Sequence, residues 1–204
     1  MNKYIKIIVI SILIIIGVFT IIYVGRKIYK AVKYEQRITE ILSDDKEIER
    51  KWLIKREDIP YNLNDSDVQK FEIKQTYLCF DPEMRVRDYN NGQSFEFTMK
   101  NNMSIDGLIR DEVNIDITKE QYDNLVKKQE GTTINKTRYQ FYADGQLIAI
   151  DIFHGELDGL AYMEIEFKTE KESREYKEPK WVIKDVTSDV NYKNGHLARY
   201  GIPK

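Results

Sequence analysis

Beyond residue 46, apolar and charged residues alternate along most of the chain, and Glu47-Ile48-Glu49-Arg50-Lys51 opens the series. A strand sends successive side chains to opposite faces, so Glu47, Glu49 and Lys51 share one face. The arrangement returns at Arg85/Arg87, Glu96/Thr98/Lys100, Arg110/Glu112, Lys136/Arg138 and Glu164/Glu166, while intervening positions such as Phe95/Phe97/Met99 and Met163/Ile165/Phe167 are strongly apolar. Enrichment in β-branched and aromatic residues predicts about eight strands, over 47–54, 71–80, 85–89, 94–100, 108–117, 137–143, 146–153 and 160–168. Asn90-Asn91-Gly92 and Ala143-Asp144-Gly145 have the composition of hairpin turns. Thr118-Lys119-Glu120-Gln121 predicts a capping box, and Tyr122, Leu125 and Val126 the apolar stripe of a helix ending near Gly131. Around Pro60 and Asn62 the chain reads as a polar connection, with a short helix begun by Ser66 or Asp67. The charged run 170–180 reads as a solvated loop, and 181–186 as a last strand or a segment packed beneath the sheet.

An ordinary half-exposed sheet also alternates, with its polar face in water. Here the polar faces repeat carboxylate and cation pairs where an ordinary sheet mixes Ser, Thr and Gln. Periodicity alone leaves open whether the charges point inward. A closed barrel with these faces inside would enclose acids able to hold a divalent cation and bases able to grip a polyanion such as a phosphate chain.

The N-terminus has a different pattern. Residues 7–24 are apolar apart from Ser11, Thr20 and Tyr23 and carry no charge, about enough helix to cross ~30 Å of hydrocarbon. A cleaved signal peptide is the poorer reading, because the run is long and is followed by Gly25-Arg26-Lys27, with no small-residue cleavage site. Lys3 and Lys6 precede the run; Arg26, Lys27, Lys30, Lys33 and Arg37 follow it, placing the C-terminal side in the cytoplasm. The expected organisation is a single-pass membrane anchor over 1–25, a juxtamembrane helix and linker over 26–45 ended by Ser43-Asp44-Asp45, and a cytoplasmic domain over 46–204.

The balance of 32 basic against 34 acidic residues argues against a nonspecific nucleic-acid binder, and no nucleic-acid partner is expected. Cys79 is the only cysteine, which excludes an intramolecular disulfide; it reads as a small buried hydrophobe. His154 and His196 lack the neighbours of a zinc site, and there is no Gly-rich phosphate loop or nucleophile elbow. Chemistry must come from carboxylates, Lys and Arg.

Glu47-x-Glu49-x-Lys51 resembles the ExExK signature of the CYTH, or triphosphate tunnel metalloenzyme, family. In the family's order follow Gln75-Thr76-Tyr77-Leu78, Arg85-Val86-Arg87, Phe97-Thr98-Met99-Lys100, Arg110-Asp111-Glu112, Lys136-Thr137-Arg138-Tyr139, Ile150 to Gly155 and Glu164-Ile165-Glu166, and the C-terminal end is similar at Asp185-Val186-Thr187 and 194–197. The resemblance covers residue 46 to the last residues. It implies a mainly β (α+β) fold: an eight-stranded antiparallel barrel forming a tunnel, with a few covering helices, that binds a linear triphosphate moiety and a divalent cation, Mg²⁺ or Mn²⁺. By the same resemblance, Lys51, Arg85, Arg87, Lys100, Arg110 and Arg138 would bind phosphate oxygens. Glu47, Glu49, Asp151, Glu164 and Glu166 would supply metal ligands, and Lys136 would either help activate water or act as another phosphate clamp. The implied activity is metal-dependent hydrolysis of inorganic triphosphate, or a related short triphosphate, to diphosphate plus orthophosphate. Adenylate cyclase, thiamine or nucleoside triphosphatase, and a noncatalytic membrane-tethered polyphosphate-binding protein are the alternatives. Two departures from the family pattern stand out: Asn114 where many members carry an acid, with Asp116 two residues on, and Ile152 where some carry an acid.

Overall fold

The computed structural model describes the backbone of residues 3–42, 46–102 and 109–204, and the side chains of 15–36, 47–100 and 111–204. An N-terminal helix, α1 (Lys3–Leu42), precedes nine strands: β1 (Lys46–Leu53), β2 (Gln69–Phe80), β3 (Glu83–Tyr89), β4 (Ser94–Asn102), β5 (Ile109–Ile117), β6 (Glu130–Ala143), β7 (Gln146–His154), β8 (Ala161–Glu166) and the two-residue β9 (Lys184–Asp185). Three short helices, α2 (Lys119–Leu125), α3 (Glu170–Glu175) and α4 (Asn194–Tyr200), lie between or after them.

Every strand pairing is antiparallel, in the order β5-β4-β3-β2-β6-β7-β8-β1-β9. The β3–β4 and β6–β7 registers follow from local chemistry. Asn90 and Asn91 (φ 53° and 54°) turn β3 into β4, and Asp144 and Gly145 (φ 51° and 80°) turn β6 into β7, the left-handed backbone that tight hairpins need.

The expected closed barrel needs correction. Among the described residues the two ends of the sheet meet at Lys46↔Asp111, Glu47↔Arg110 and Ile48↔Ile109; further along β1 that same edge is taken by β9, at Trp52↔Asp185 and Leu53↔Lys184, so the sheet is not closed along its full length.

The sheet buries apolar residues in two places. Trp52, Ile150, Ile152, Met163, Ile165 and Phe167 pack on the outer side of β1, β7 and β8, under Ile59, Tyr61, Tyr176 and Trp181. Ile152 therefore faces away from the charged lining. On the opposite side, Tyr77, Ile134, Phe153 and Tyr162 meet Leu197 and Ala198 of α4, which plugs one end of the concave face. Gly131 permits this approach: it has φ +69°, and a Cβ there would stand 2.4 Å from the Ala198 carbonyl oxygen.

Other expectations fare unevenly. Thr118 caps α2 with the full reciprocal box, accepting from the Gln121 N–H while its own N–H donates to Gln121 Oε1. The expected short helix at Ser66 is absent; a 3₁₀ turn lies earlier, at Arg56–Asp58. The charged run 170–180 is not all loop, because Thr169 caps α3 by accepting from the Glu172 N–H. Cys79 is half-buried, its Sγ 3.3 Å from the Asp81 carbonyl oxygen. Leu108 and the break at 43–45 lie outside the described residues.

Among the described residues, no helix is long and apolar enough to cross a membrane, so the expected span is not supported; the side chains of 7–14 fall outside those described. The later part of α1 leans on the domain: Lys30 Nζ pairs with Asp67 at 2.8 Å, and Tyr34 OH donates to Gln140 Oε1 at 3.2 Å.

Candidate active site

Strand register decides which charges meet. Lys51 lies directly opposite Glu164, Arg138 opposite Asp151, Lys100 opposite Glu112 and Arg87 opposite Glu96. Contacts that skip a strand show that the charged face is concave: Arg138 of β6 reaches Glu164 of β8, and Lys100 of β4 reaches Glu47 of β1 at 2.6 Å. The question that periodicity left open is thereby answered, and the charges point inward.

One group of charges is saturated. Asp151, fully buried, takes Lys136 Nζ at 2.5 Å and Arg138 through Nε and Nη2 at 2.7 Å each. Glu164 is shared by Lys51, at 2.9 Å, and Arg138. Burial opposes ionisation of both carboxyls. For Asp151 the Arg138 and Lys136 charges outweigh it, and for Glu164 the Lys51 and Arg138 charges do, so both are held below the usual carboxylate range. Lys136 moves the other way. Burial, reinforced by the Arg138 guanidinium and only partly offset by Asp151, lowers its ammonium to about 8.

The second group is rich in carboxylates. Glu49 stands directly opposite Glu166, a like-charge pair that a sheet disfavours. Burial first, then the charges of Glu47, Glu49 and Glu112, push the Glu166 carboxyl up to about 8, against Lys100. Glu112 itself is held at about 2, because Lys100, Arg85 and Arg87 outweigh its burial. Lys100 Nζ sits 2.7 Å from it.

The third group is a set of donors. Arg85 is buried at 3% exposure and reaches Glu83 at 2.9 Å, yet its Nε and Nη2 have no hydrogen-bond partner. Buried guanidinium donors are rarely left so, and these need an acceptor. Arg87 is fixed by Gln75 Oε1 at 3.0 Å and Glu96 Oε1 at 3.0 Å.

The structure therefore brings together Lys51, Arg85, Arg87, Lys100, Lys136 and Arg138 with Glu47, Glu49, Asp151, Glu164 and Glu166. Arg110 is on β5 opposite Glu47, and its side chain lies outside the described residues. The five carboxylates expected as metal ligands do not form one set. Asp151 and Glu164 are each engaged by two cations, whereas Glu47, Glu49 and Glu166 form a carboxylate-rich group in which Glu47 meets Lys100 at 2.6 Å and Glu49 meets Lys51 at 3.4 Å. Among the described residues, no three His, Cys, Asp or Glu side chains are arranged to hold a metal ion. The donor chemistry of the second group still fits one: hard carboxylate oxygens, and a Glu166 that burial and the neighbouring Glu47, Glu49 and Glu112 keep protonated to about pH 8. Binding would have to draw these side chains together. Asn114, where an acid was missing, is exposed and accepts from the buried Thr98 hydroxyl at 2.8 Å; Asp116 is also exposed.

Residues that sequence reasoning did not place in the site include Glu112, Glu96, Glu83 and Gln75. Glu112 was visible in the alternation with Arg110. Gln75 carries no charge to signal it, although its own strand motif contains it.

The CYTH domain is found over residues 45–199. The chain belongs to the CYTH domain family. A relative from Nitrosomonas europaea named inorganic triphosphatase is 35% identical over 156 residues, covering 74% of this chain and 96% of the relative. Another inorganic triphosphatase, from Acetivibrio thermocellus, is 31% identical over 129 residues, covering 62% and 79% respectively. A crystal structure of an inorganic triphosphatase, 33% identical and covering 74% of this chain and 93% of its own, superposes with a TM-score of 0.53.

Proposed function

We propose that this CYTH domain hydrolyses inorganic triphosphate to diphosphate and orthophosphate with the help of a divalent cation, Mg²⁺ or Mn²⁺. The observation that carries the reading is the inward convergence of Lys51, Arg85, Arg87, Lys100, Lys136 and Arg138, with two Arg85 donors lacking acceptors. A linear triphosphate of about four or five negative charges supplies both the counter-charge and the acceptors that Arg forks match. The inorganic triphosphatase relatives support this substrate class.

Glu47, Glu49 and Glu166 are the residues that would hold the cation, with Glu112 at their edge. A bound cation would neutralise phosphate charge and lower the pKa of water. Lys51, Arg138 and Arg87 orient the phosphates from three strands. Lys136, lowered to about 8, is the group suited to take a proton from the attacking water at Nζ. Attack at a terminal phosphorus forms the new P–O bond, and the bridging P–O bond breaks to release diphosphate. Arg138 and Lys51 stay charged throughout and receive the leaving oxygens' negative charge.

Attachment to the cell membrane through residues 7–24, with the domain in the cytoplasm, belongs to this proposal. It is supported by the uncharged run and by the open apolar surface of α1, where Phe19 is 67% and Ile21 73% exposed. Phosphate release from tripolyphosphate, ATP and thiamine triphosphate by residues 46–204, with each metal, tests the activity. Release from tripolyphosphate above the others is the expected result, and no release from any substrate with either metal would reject hydrolysis. Cyclic AMP appearing from ATP would instead point to a cyclase. Sedimentation of the full chain with membranes after alkaline carbonate washing, against a soluble 46–204 fragment, tests the attachment.

A further inference from the structure

Gln75 is fully buried on the charged face, directly opposite Arg87 in the β2–β3 register, and the next residue on that face, Tyr77, stands opposite Arg85. A side-chain amide has one accepting end and one donating end, and its neighbours decide which way it lies. Arg87 Nε can only donate, so the atom it meets at 3.0 Å is Gln75 Oε1. Gln75 Nε2 is thereby turned to the Tyr77 hydroxyl at 2.9 Å, and the tyrosine oxygen accepts.

The consequence falls on the hydroxyl hydrogen. With its oxygen accepting from Gln75, Tyr77 still has an O–H to give, and among the described residues no group accepts it. The guanidiniums of Arg85 and Arg87 lie close by and cannot accept; Arg85 Nε and Nη2 are themselves donors without partners. Burial, then the Glu83 charge, raise the phenol above its ordinary value against these two cations, so the hydroxyl keeps its proton and remains a donor.

The ring is fixed from the other side. Tyr77 stacks on Phe80 with centroids 5.2 Å apart and planes 18° apart, and it belongs to the apolar cluster under α4. Gly195 of α4 sits against it, where a Cβ would meet Tyr77 Cε1 at 3.6 Å. An apolar body locked into the plug, with its polar tip at the charged face, is a donor placed before any ligand arrives.

We propose that the Tyr77 hydroxyl is a further substrate contact, donating to an oxygen of the phosphoryl group that takes the two free Arg85 donors, and that Gln75 is the positioning residue that turns it there. The inference rests on the triphosphatase reading above. Three donors, Arg85 Nε, Arg85 Nη2 and the Tyr77 O–H, then serve one phosphoryl group, and the amide that aims the hydroxyl also holds Arg87. A carboxylate in place of this amide would still accept from Arg87, but it would accept from Tyr77 too and turn the hydroxyl away from the substrate.

The test is kcat and KM for tripolyphosphate, with melting temperatures, in Tyr77→Phe, Gln75→Glu and the double variant, all in the full chain. Tyr77→Phe keeps the ring on Phe80. It should raise KM about ten- to a hundredfold, the loss of one hydrogen bond to a charged group, with kcat within about threefold of wild type. Gln75→Glu should lose at least as much, and adding Tyr77→Phe to it should cost less than about twofold more, because the hydroxyl is already turned away. A KM within about threefold of wild type in either single variant, whatever its melting temperature, overturns the proposal. The full Tyr77→Phe loss appearing again on the Gln75→Glu background overturns the positioning role. If the wild-type protein hydrolyses no tripolyphosphate, the triphosphatase reading fails, and calorimetric binding of tripolyphosphate without metal decides the contact separately. An affinity that Tyr77→Phe weakens by the same factor supports it; an affinity unchanged by Tyr77→Phe, or no binding to the wild type, overturns it.

Discussion

Lys136 and Glu166 both titrate near 8, for opposite reasons. Lys136 is a buried base next to Arg138, and Glu166 is a buried acid among other acids. For Lys136 the sign is definite. Its folded value is below the unfolded 10.5, so between about 8 and 10.5 the unfolded chain binds more protons and this group's contribution to stability rises with pH. If its neutral amine accepts the proton from water, kcat/KM for tripolyphosphate should climb as pH rises through about 8, and Lys136→Arg, which stays charged, should lose that limb and most of the rate. A pH–rate profile of both proteins checks it. Arg87, tied to Gln75 and Glu96, has no proton to move, so Arg87→Ala should raise KM roughly ten- to a hundredfold with a smaller effect on kcat. Initial rates at saturating and limiting substrate separate the two effects. The alternation of charge already marked both residues. It gave no sign that Lys136 would be lowered and Lys51 raised, because that depends on which carboxylates each meets across the sheet: Lys51 meets both Glu164 and Glu49, while Lys136 meets Asp151 and shares it with Arg138.

Elements were legible where the signal is local and obscured where it is not. The α2 capping box and the two hairpins could be read because Thr118, Gln121, Asn90 and Asp144 act on their own neighbours. The start of α3 is equally local, at Thr169, but the run of charges after it masked the cap. The place of α4 was hidden for another reason: its partners, Gly131 and Thr132, are more than sixty residues away. That contact makes a sharp prediction. Gly131→Ala places a methyl 2.4 Å from a backbone oxygen at φ +69°, so either β6 or α4 must shift. Thermal unfolding should show a loss of several kcal/mol, well above the about 1 kcal/mol expected when Thr169→Ala removes the α3 cap. The cap variant should keep full activity.

On the scale of the whole molecule, the concave face is a store of uncompensated electrostatics. Taking charges out of water costs several kcal/mol per ion, and the Lys136–Asp151–Arg138–Glu164–Lys51 chain recovers this only while every member is present. Asp151 is where two readings of the site separate. As a metal ligand, its loss would weaken the response to a divalent cation. As a counter-charge for Lys136 and Arg138, its loss leaves two buried cations facing each other, which a polyphosphate can satisfy as well as a carboxylate can. The geometry favours the second reading, since both Asp151 oxygens are already taken by cations at 2.5–2.7 Å. Asp151→Asn should therefore lower stability by about 3–5 kcal/mol without ligand, with the melting temperature recovering more on tripolyphosphate addition than in the wild type. The double variant Glu49→Gln/Glu166→Gln should do the reverse. It leaves the Lys136–Asp151–Arg138–Glu164–Lys51 chain in place, so without ligand it melts closer to wild type than Asp151→Asn does, but it loses the shift that Mg²⁺ or Mn²⁺ gives and its turnover at limiting metal. Melting curves of the three proteins with metal alone, tripolyphosphate alone and both together distinguish these patterns, and an Asp151→Asn protein that lost only the metal response would return Asp151 to the ligand set.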